Sequence, residues 1–266
     1  MKRSARPLAV ITGAASGIGL ATSLRFVRER YRVAALDRSE EGLRRLKRSK
    51  FGDHVHTYLC DLNDIAALTP LARCIVTELG PPRALVNNAG IWFYERIEEC
   101  TDEHWLMSLN VNLVAAAALA RGFVPAMKRV KDAAIVNVSS RNALSSSPKA
   151  SSYDAAKAGL LGLTRTLAVE LGEYGIRCNA VCPGVIDTPA NKKELDDPEF
   201  VRNYLRLIPL NRFGRAEDMA NVIYFLASDQ AAFVTGQYVV ADGGQMCGQS
   251  YGRVFARKKW APASSR

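Results

Sequence analysis

The 266-residue chain is poor in the residues that staple small folds or bind metals: it has six Cys, three His and no Cys-x-x-Cys pair. Cys60, Cys74, Cys100, Cys178, Cys182 and Cys247 are spread along the chain, which argues against a disulfide scaffold and a cysteine-built zinc site. Apolar runs of 18 residues are missing too, so no membrane span is expected. Met1–Pro7 leads into a short apolar segment that holds Gly13, Gly17 and Gly19 and has no small-residue cleavage pattern. It does not read as a signal peptide, and a reducing cytoplasm is the expected compartment. Acids are absent from both ends. Lys2, Arg3 and Arg6, with Arg253, Arg257, Lys258, Lys259 and Arg266, take the formal charge of +10 down to about +2 for residues 8–248. A nucleic-acid binder carries its basic stripe on a folded face, so nucleic acid is not the expected partner.

What is present is an ordinary globular balance, 48% hydrophobic and 23% charged, in a length that suits one large α/β domain. Apolar runs at Leu8–Thr12, Arg32–Asp37, Val55–Cys60, Ala84–Asn87, Ala133–Ser139, Ile176–Cys182 and Gln237–Ala241 read as strands covered on both faces. Helical patterns lie between them near 17–30, 39–48, 64–79, 101–128, 152–173 and 216–228. The expected fold is therefore α/β, a single-domain doubly wound (Rossmann-type) parallel sheet of about seven strands with helices on both faces. Residues 7–248 make the domain. Within it the charged, proline-bearing stretch 189–215 is longer than a connection needs and reads as a substrate lid. Residues 249–266 form a basic extension, either a solubilising end or a segment docking on a neighbouring subunit.

The first strand runs into Thr12-Gly13-Ala14-Ala15-Ser16-Gly17-Ile18-Gly19, where a helix opens. Glycines there allow a tight turn and close backbone approach to a pyrophosphate, and the helix N-terminus offers free N–H groups. Asp37 ends the second strand, 18 residues after Gly19, where an acid accepts hydrogen bonds from ribose hydroxyls and repels a 2′-phosphate. That favours NAD over NADP, although Arg38 follows directly. Asp61 and Leu62 close the third strand and Asn87-Asn88-Ala89-Gly90 the fourth, at the sheet edge where ligands of such folds lie. Asn-Asn-Ala-Gly is also good turn chemistry.

Tyr153 and Lys157 stand four apart on a helical pattern and share a face. An ammonium about 4 Å from a phenol is worth roughly 4 kcal/mol at an effective dielectric near 20, enough to bring tyrosine towards use as a base near neutrality. An isolated Tyr-x-x-x-Lys is an ordinary surface pair. Here it accompanies Gly13-x-x-x-Gly17-Ile18-Gly19, Asn87-Asn88-Ala89-Gly90, Ser140 and Pro183-Gly184-Val185-Ile186-Asp187-Thr188. In that order and spacing, over residues 7–248, the chain resembles the short-chain dehydrogenases/reductases.

The resemblance implies a nicotinamide-dependent interconversion of a secondary alcohol and a ketone. Tyr153 would be the acid/base, Ser140 would orient the substrate oxygen, and Lys157 would hold the nicotinamide ribose. Asn112 matches the family asparagine that holds a relay water, with Asn110 beside it as a decoy. Ser16 belongs to the glycine loop, and Pro183, Gly184, Ile186 and Thr188 would meet the nicotinamide end. A homo-oligomer, most simply a tetramer, is implied, paired through apolar positions Leu106, Leu109, Leu113, Val114, Leu160, Leu161 and Leu163. Arg141, next to Ser140, either contacts an anionic substrate or points to solvent. Trp92, Phe93 and Tyr94 are expected to shape the pocket with the lid. His54 and His56 read as surface strand residues and Cys178 and Cys182 as buried filler, so no metal is expected. The alternatives are a 3-oxoacyl thioester reductase, with Lys128 and Arg129 docking an acidic carrier protein, and a non-catalytic dinucleotide sensor. The substrate itself is not legible.

Overall fold

The computed structural model describes residues 6–248, and the extension 249–266 lies outside the described residues. In chain order the elements are β1 Leu8–Thr12, α1 Gly17–Arg28, β2 Arg32–Asp37, α2 Glu40–Arg48, β3 Val55–Leu59, α3 Ile65–Leu79 and β4 Pro82–Asn87. Next come α4 Asp102–Leu109, α5 Ala115–Met127, β5 Ala134–Val138, α6 Ser151–Leu171 and β6 Arg177–Pro183. The chain continues through β7 Ile186–Asp187, α7 Lys192–Leu195, α8 Pro198–Leu205, β8 Gly214–Arg215, α9 Ala216–Ala227 and β9 Tyr238–Ala241. Seven strands form one all-parallel sheet in the order β3-β2-β1-β4-β5-β6-β9. Strand order reverses between β1 and β4, which opens a crevice at their carboxyl ends.

Alternate residues of each central strand feed opposite layers. Ile11, Val33, Val86 and Val136 pack under α1, α2 and α9, against Phe26, Leu43 and Ile223. Val10, Leu36, Leu85 and Ile135 pack under α3, α5 and α6, against Leu68, Phe123 and Leu171. Local signals set the helix starts. Ser39, Asp64 and Thr101 each accept a hydrogen bond from the backbone N–H three residues on, at 3.1, 3.3 and 3.2 Å. Asp197 caps α8 with Pro198 at its first position.

Three expectations are corrected. Two strands are sheet edges and are not covered on both faces: in β3 Val55 is buried while Thr57 and Leu59 face solvent, and in β9 no residue is buried. His54 sits in the 3-10 turn before β3, so His54 and His56 share no strand face. The 101–128 helix runs unbroken over Asp102–Met127 but is not α-helical throughout: a π-turn at Asn110–Val114 lies between α4 and α5. Among the described residues this stretch, Asp102–Met127, is apolar enough to cross a membrane, with a mean hydropathy of 1.4, yet half of that window is buried inside the fold. Of the proposed pairing residues, Leu106 and Val114 are exposed, whereas Leu160 and Leu161 are spent on the interior.

Phe26 is fully buried on α1 and meets Tyr31 and Tyr224 edge-on, with ring centroids 5.1 and 5.4 Å away. Phe26→Ala is expected to lower stability by about 3–5 kcal/mol, read as a reduced urea midpoint, because α1 and α9 meet on that ring.

Candidate active site

The crevice is a cleft of about 550 Å³ across the carboxyl ends of β1, β2, β4, β5 and β6. The glycine loop forms one wall. Gly13 and Gly17 adopt φ of +65° and +49°, a region that side chains rarely tolerate. A Cβ on Gly19 would lie 2.0 Å from the Gly13 carbonyl oxygen, so only glycine lets α1 start this close to the turn. A Cβ on Gly17 would meet Thr188 at 3.3 Å and narrow the slot facing the α1 N-terminus. The arrangement fits a pyrophosphate: a backbone cradle at a helix N-terminus that side chains would fill.

β4 holds this loop in place. The Thr12 hydroxyl accepts hydrogen bonds from the backbone N–H groups of Asn88, at 2.9 Å, and Ala89, at 3.0 Å. The Asn88 side chain also donates to the Thr12 carbonyl at 2.8 Å. Asp37 accepts from Ala15 N–H and Ser39 N–H, both at 2.9 Å, so its carboxylate is fixed at the cleft wall beside Arg38. Asp61 and Leu62 line the same end, from the turn just beyond β3.

At the other end Ser140, Tyr153 and Lys157 converge. Ser140 closes β5 and its hydroxyl accepts from Asn142 N–H at 3.1 Å, starting a 3-10 turn. Lys157 is 3% exposed; its ammonium donates to the Val138 carbonyl at 2.9 Å and lies 5.6 Å from the Tyr153 ring centroid. Burial pushes the Tyr153 phenol up to about 12, against the downward pull of the Ser140 hydroxyl and the Arg141 charge. Burial also pushes the Lys157 ammonium down to about 8. In the protein alone the lysine does not depress the tyrosine as its spacing suggests, because desolvation outweighs attraction and the ammonium donates to a carbonyl rather than to the phenol.

Every predicted site residue lines this cleft except Gly19 and Asn112, which stand behind it. The Asn112 amide donates to the carbonyls of Ile91 (2.8 Å) and Ser108 (2.9 Å) and accepts from Ile91 N–H at 3.2 Å. Its neighbour Asn110 donates to Asn63 at 3.0 Å. Trp92 lines the cleft and meets Tyr153 edge-on at 6.3 Å, and Tyr94 joins it. Phe93 does not: it stacks on His104 at 4.1 Å. The sequence reading missed Thr12 and a network in which Asp154 accepts from the Asn142 side chain, at 2.7 Å, and from Ser147 N–H, at 3.0 Å, bracing the loop after Ser140. Among the described residues no group of three His, Cys, Asp or Glu is placed to hold a metal ion.

The family described as Enoyl-(Acyl carrier protein) reductase matches residues 13–246. The 3-oxoacyl-[acyl-carrier-protein] reductase of Thermotoga maritima is 41% identical over 238 residues, which are 88% of this chain and 96% of that protein. The chain belongs to the short-chain dehydrogenase/reductase family. Solved structures agree with this short-chain dehydrogenase/reductase fold. A 4-hydroxyisoleucine dehydrogenase complexed with NADH matches with a TM-score of 0.86 at 31% identity, covering 91% of this chain and 100% of its own. A blue fluorescent protein from a metagenomic library, in complex with NADPH, matches with a TM-score of 0.85 at 28% identity, covering 90% of this chain and 98% of its own. This protein is an oxidoreductase enzyme of the short-chain type.

Thr12→Val keeps the shape of the β1–β4 joint but strands two backbone donors. It is expected to destabilise the fold by about 2–4 kcal/mol, measured by denaturant unfolding, with Thr12→Ser restoring most of the loss.

Proposed function

We propose that this enzyme interconverts a secondary alcohol and a ketone with NAD(H), using Tyr153 as the acid/base. The supporting observation is the convergence of Ser140, Tyr153 and Lys157 in the cleft that also holds the glycine loop and Asp37. A nicotinamide bound in this cleft supplies the hydride acceptor or donor. Gly13, Ser16, Gly17, Ile18 and Thr188 would cradle its pyrophosphate, with Gly19 letting the helix approach. Asp37, Asp61 and Leu62 would receive the adenosine end, while Asn88, Pro183, Gly184 and Ile186 would flank the nicotinamide end. Ser140 would hold the substrate oxygen against the Tyr153 hydroxyl. In oxidation the phenolate takes the alcohol proton; in reduction the phenol returns it. Lys157 would grip the ribose. Asn112 serves as a positioning residue, pinning Ile91 and backing Gly90, whose hypothetical Cβ would lie 2.8 Å from the Asn112 oxygen.

The assignment extends to a cytoplasmic enzyme assembled as a homo-oligomer, most simply a tetramer, with residues 189–215 as its substrate lid. Leu106 and Val114 remain available for pairing. The carrier-protein alternative draws on the Thermotoga maritima relative. In this subunit, however, Lys128 and Arg129 follow α5 on the side where β5 begins, opposite the carboxyl ends that form the cleft, and the Lys128 ammonium sits 3.6 Å over the Tyr174 ring.

Tyr153→Phe is expected to cut kcat at least about a hundredfold while leaving NAD(H) binding nearly intact. The wild-type pH profile checks the same group. With its phenol at about 12, Tyr153 keeps its proton through the neutral range, so reduction should stay flat from pH 6 to 8 while oxidation, which needs the phenolate, climbs with pH. A retained rate above a tenth in Tyr153→Phe would place the acid/base elsewhere.

Asp37 sets the second expectation, a kcat/KM at least tenfold higher with NAD than with NADP. Asp37→Ala, leaving Arg38 alone, should narrow or invert that ratio.

A further inference from the structure

Among the described residues, the substrate end of the cleft contains one cation that the reaction as proposed does not use. Arg141 follows Ser140 directly in the 3-10 turn, lines the cleft, and is half-buried there. Its positive charge bears on both Tyr153 and Tyr94, drawing each down against the push of burial. Its hydrogen bond to the Ser147 hydroxyl is long, at 3.4 Å. Among the described residues no carboxylate pairs with it. Asp154, buried behind this turn, spends one oxygen on Asn142 and the other on Ser147. A guanidinium has five N–H donors in a planar fork that matches a carboxylate, and one long bond leaves most of that capacity unspent in a residue that lines the cleft. Glu194 of α7 also lines the cleft and raises the Tyr94 phenol. An anion is therefore drawn to Arg141 and away from the Glu194 carboxylate.

We infer that Arg141 anchors a carboxylate carried one or two bonds from the reacting carbon, which makes this enzyme a dehydrogenase of small hydroxy acids. The inference rests on Ser140 and Tyr153 being the reacting pair. Neutral alcohols of the same skeleton fit the cleft but leave the guanidinium without its partner, and that difference sets the preference.

The test uses matched pairs that differ only in charge: 3-hydroxybutyrate against its methyl ester, and lactate against methyl lactate, with 3-hydroxybutyryl-CoA as the thioester probe. The full-length enzyme should oxidise the better acid with a kcat/KM at least about tenfold above its ester. That ratio should fall to about one in Arg141→Met and recover in part in Arg141→Lys. Equal use of acid and ester by the wild type, preference for the thioester, or equal losses for acid and ester in Arg141→Met would each overturn the anchor while leaving the alcohol–ketone reading intact. Should no probe reduce the dinucleotide, that reading fails on these substrates, and butyrate decides the anchor alone. A rise in Tm with butyrate, absent with methyl butyrate and absent in Arg141→Met, upholds it. No such rise overturns it.

Discussion

Everything in the cleft hangs from the joint between β1 and β4. Two parallel strands diverge there, and their ends would part without a tie. Thr12 provides one by accepting three hydrogen bonds from the β4 side: its hydroxyl takes the backbone N–H groups of Asn88 and Ala89, and its carbonyl takes the Asn88 amide. Because the Thr12 side chain sits at the last turn before Gly13, the same bonds set the position of the glycine loop. The loop in turn fixes Asp37 through Ala15 N–H. A single buried hydroxyl thus sets the spacing between two walls of the cleft, and the low dielectric around it makes every unmade bond there expensive.

A second balance governs the reactive end. Tyr153 and Lys157 are both pushed towards their neutral forms by burial, in opposite directions on the pH scale. The protein alone therefore keeps its acid protonated. Positive charge brought into the cleft shifts that balance, so the availability of the base is linked to what the cleft holds. Arg141 is a resident part of that field.

Most of the fold was legible because central strands of a parallel sheet must be apolar throughout, and such runs stand out. Legibility failed where that condition lapses. β3 lies at the edge and alternates, and its neighbour His54 was swept into it although it belongs to a tight turn. Asn112 was legible as a polar residue with a task, but its direction was not: the π-turn breaks the helical register that the argument assumes. The Tyr153–Lys157 spacing is right on the helix, yet spacing says nothing of which acceptor the ammonium chooses, and here it is the Val138 carbonyl. The Asn142–Asp154–Ser147 network joins residues up to twelve apart through a loop, beyond any local pattern. The short helices α7 and α8 carry a readable cap in Asp197-Pro198 but too little periodicity to register.

The two-residue pairing of β7 with β8 sets Ile186 beside Gly214 and Asp187 beside Arg215, where a Cβ on Gly214 would lie 2.4 Å from the Ile186 side chain. Everything between, including α7 and α8, is an excursion whose ends are clamped together. Loop closure grows only slowly more unfavourable with length, so the excursion can gain, lose or exchange residues at little cost to the sheet. The clamp separates two kinds of evolutionary change: the excursion can drift, while the strands of the main sheet keep their register. A fold wired in this way can change its clientele without relearning its chemistry.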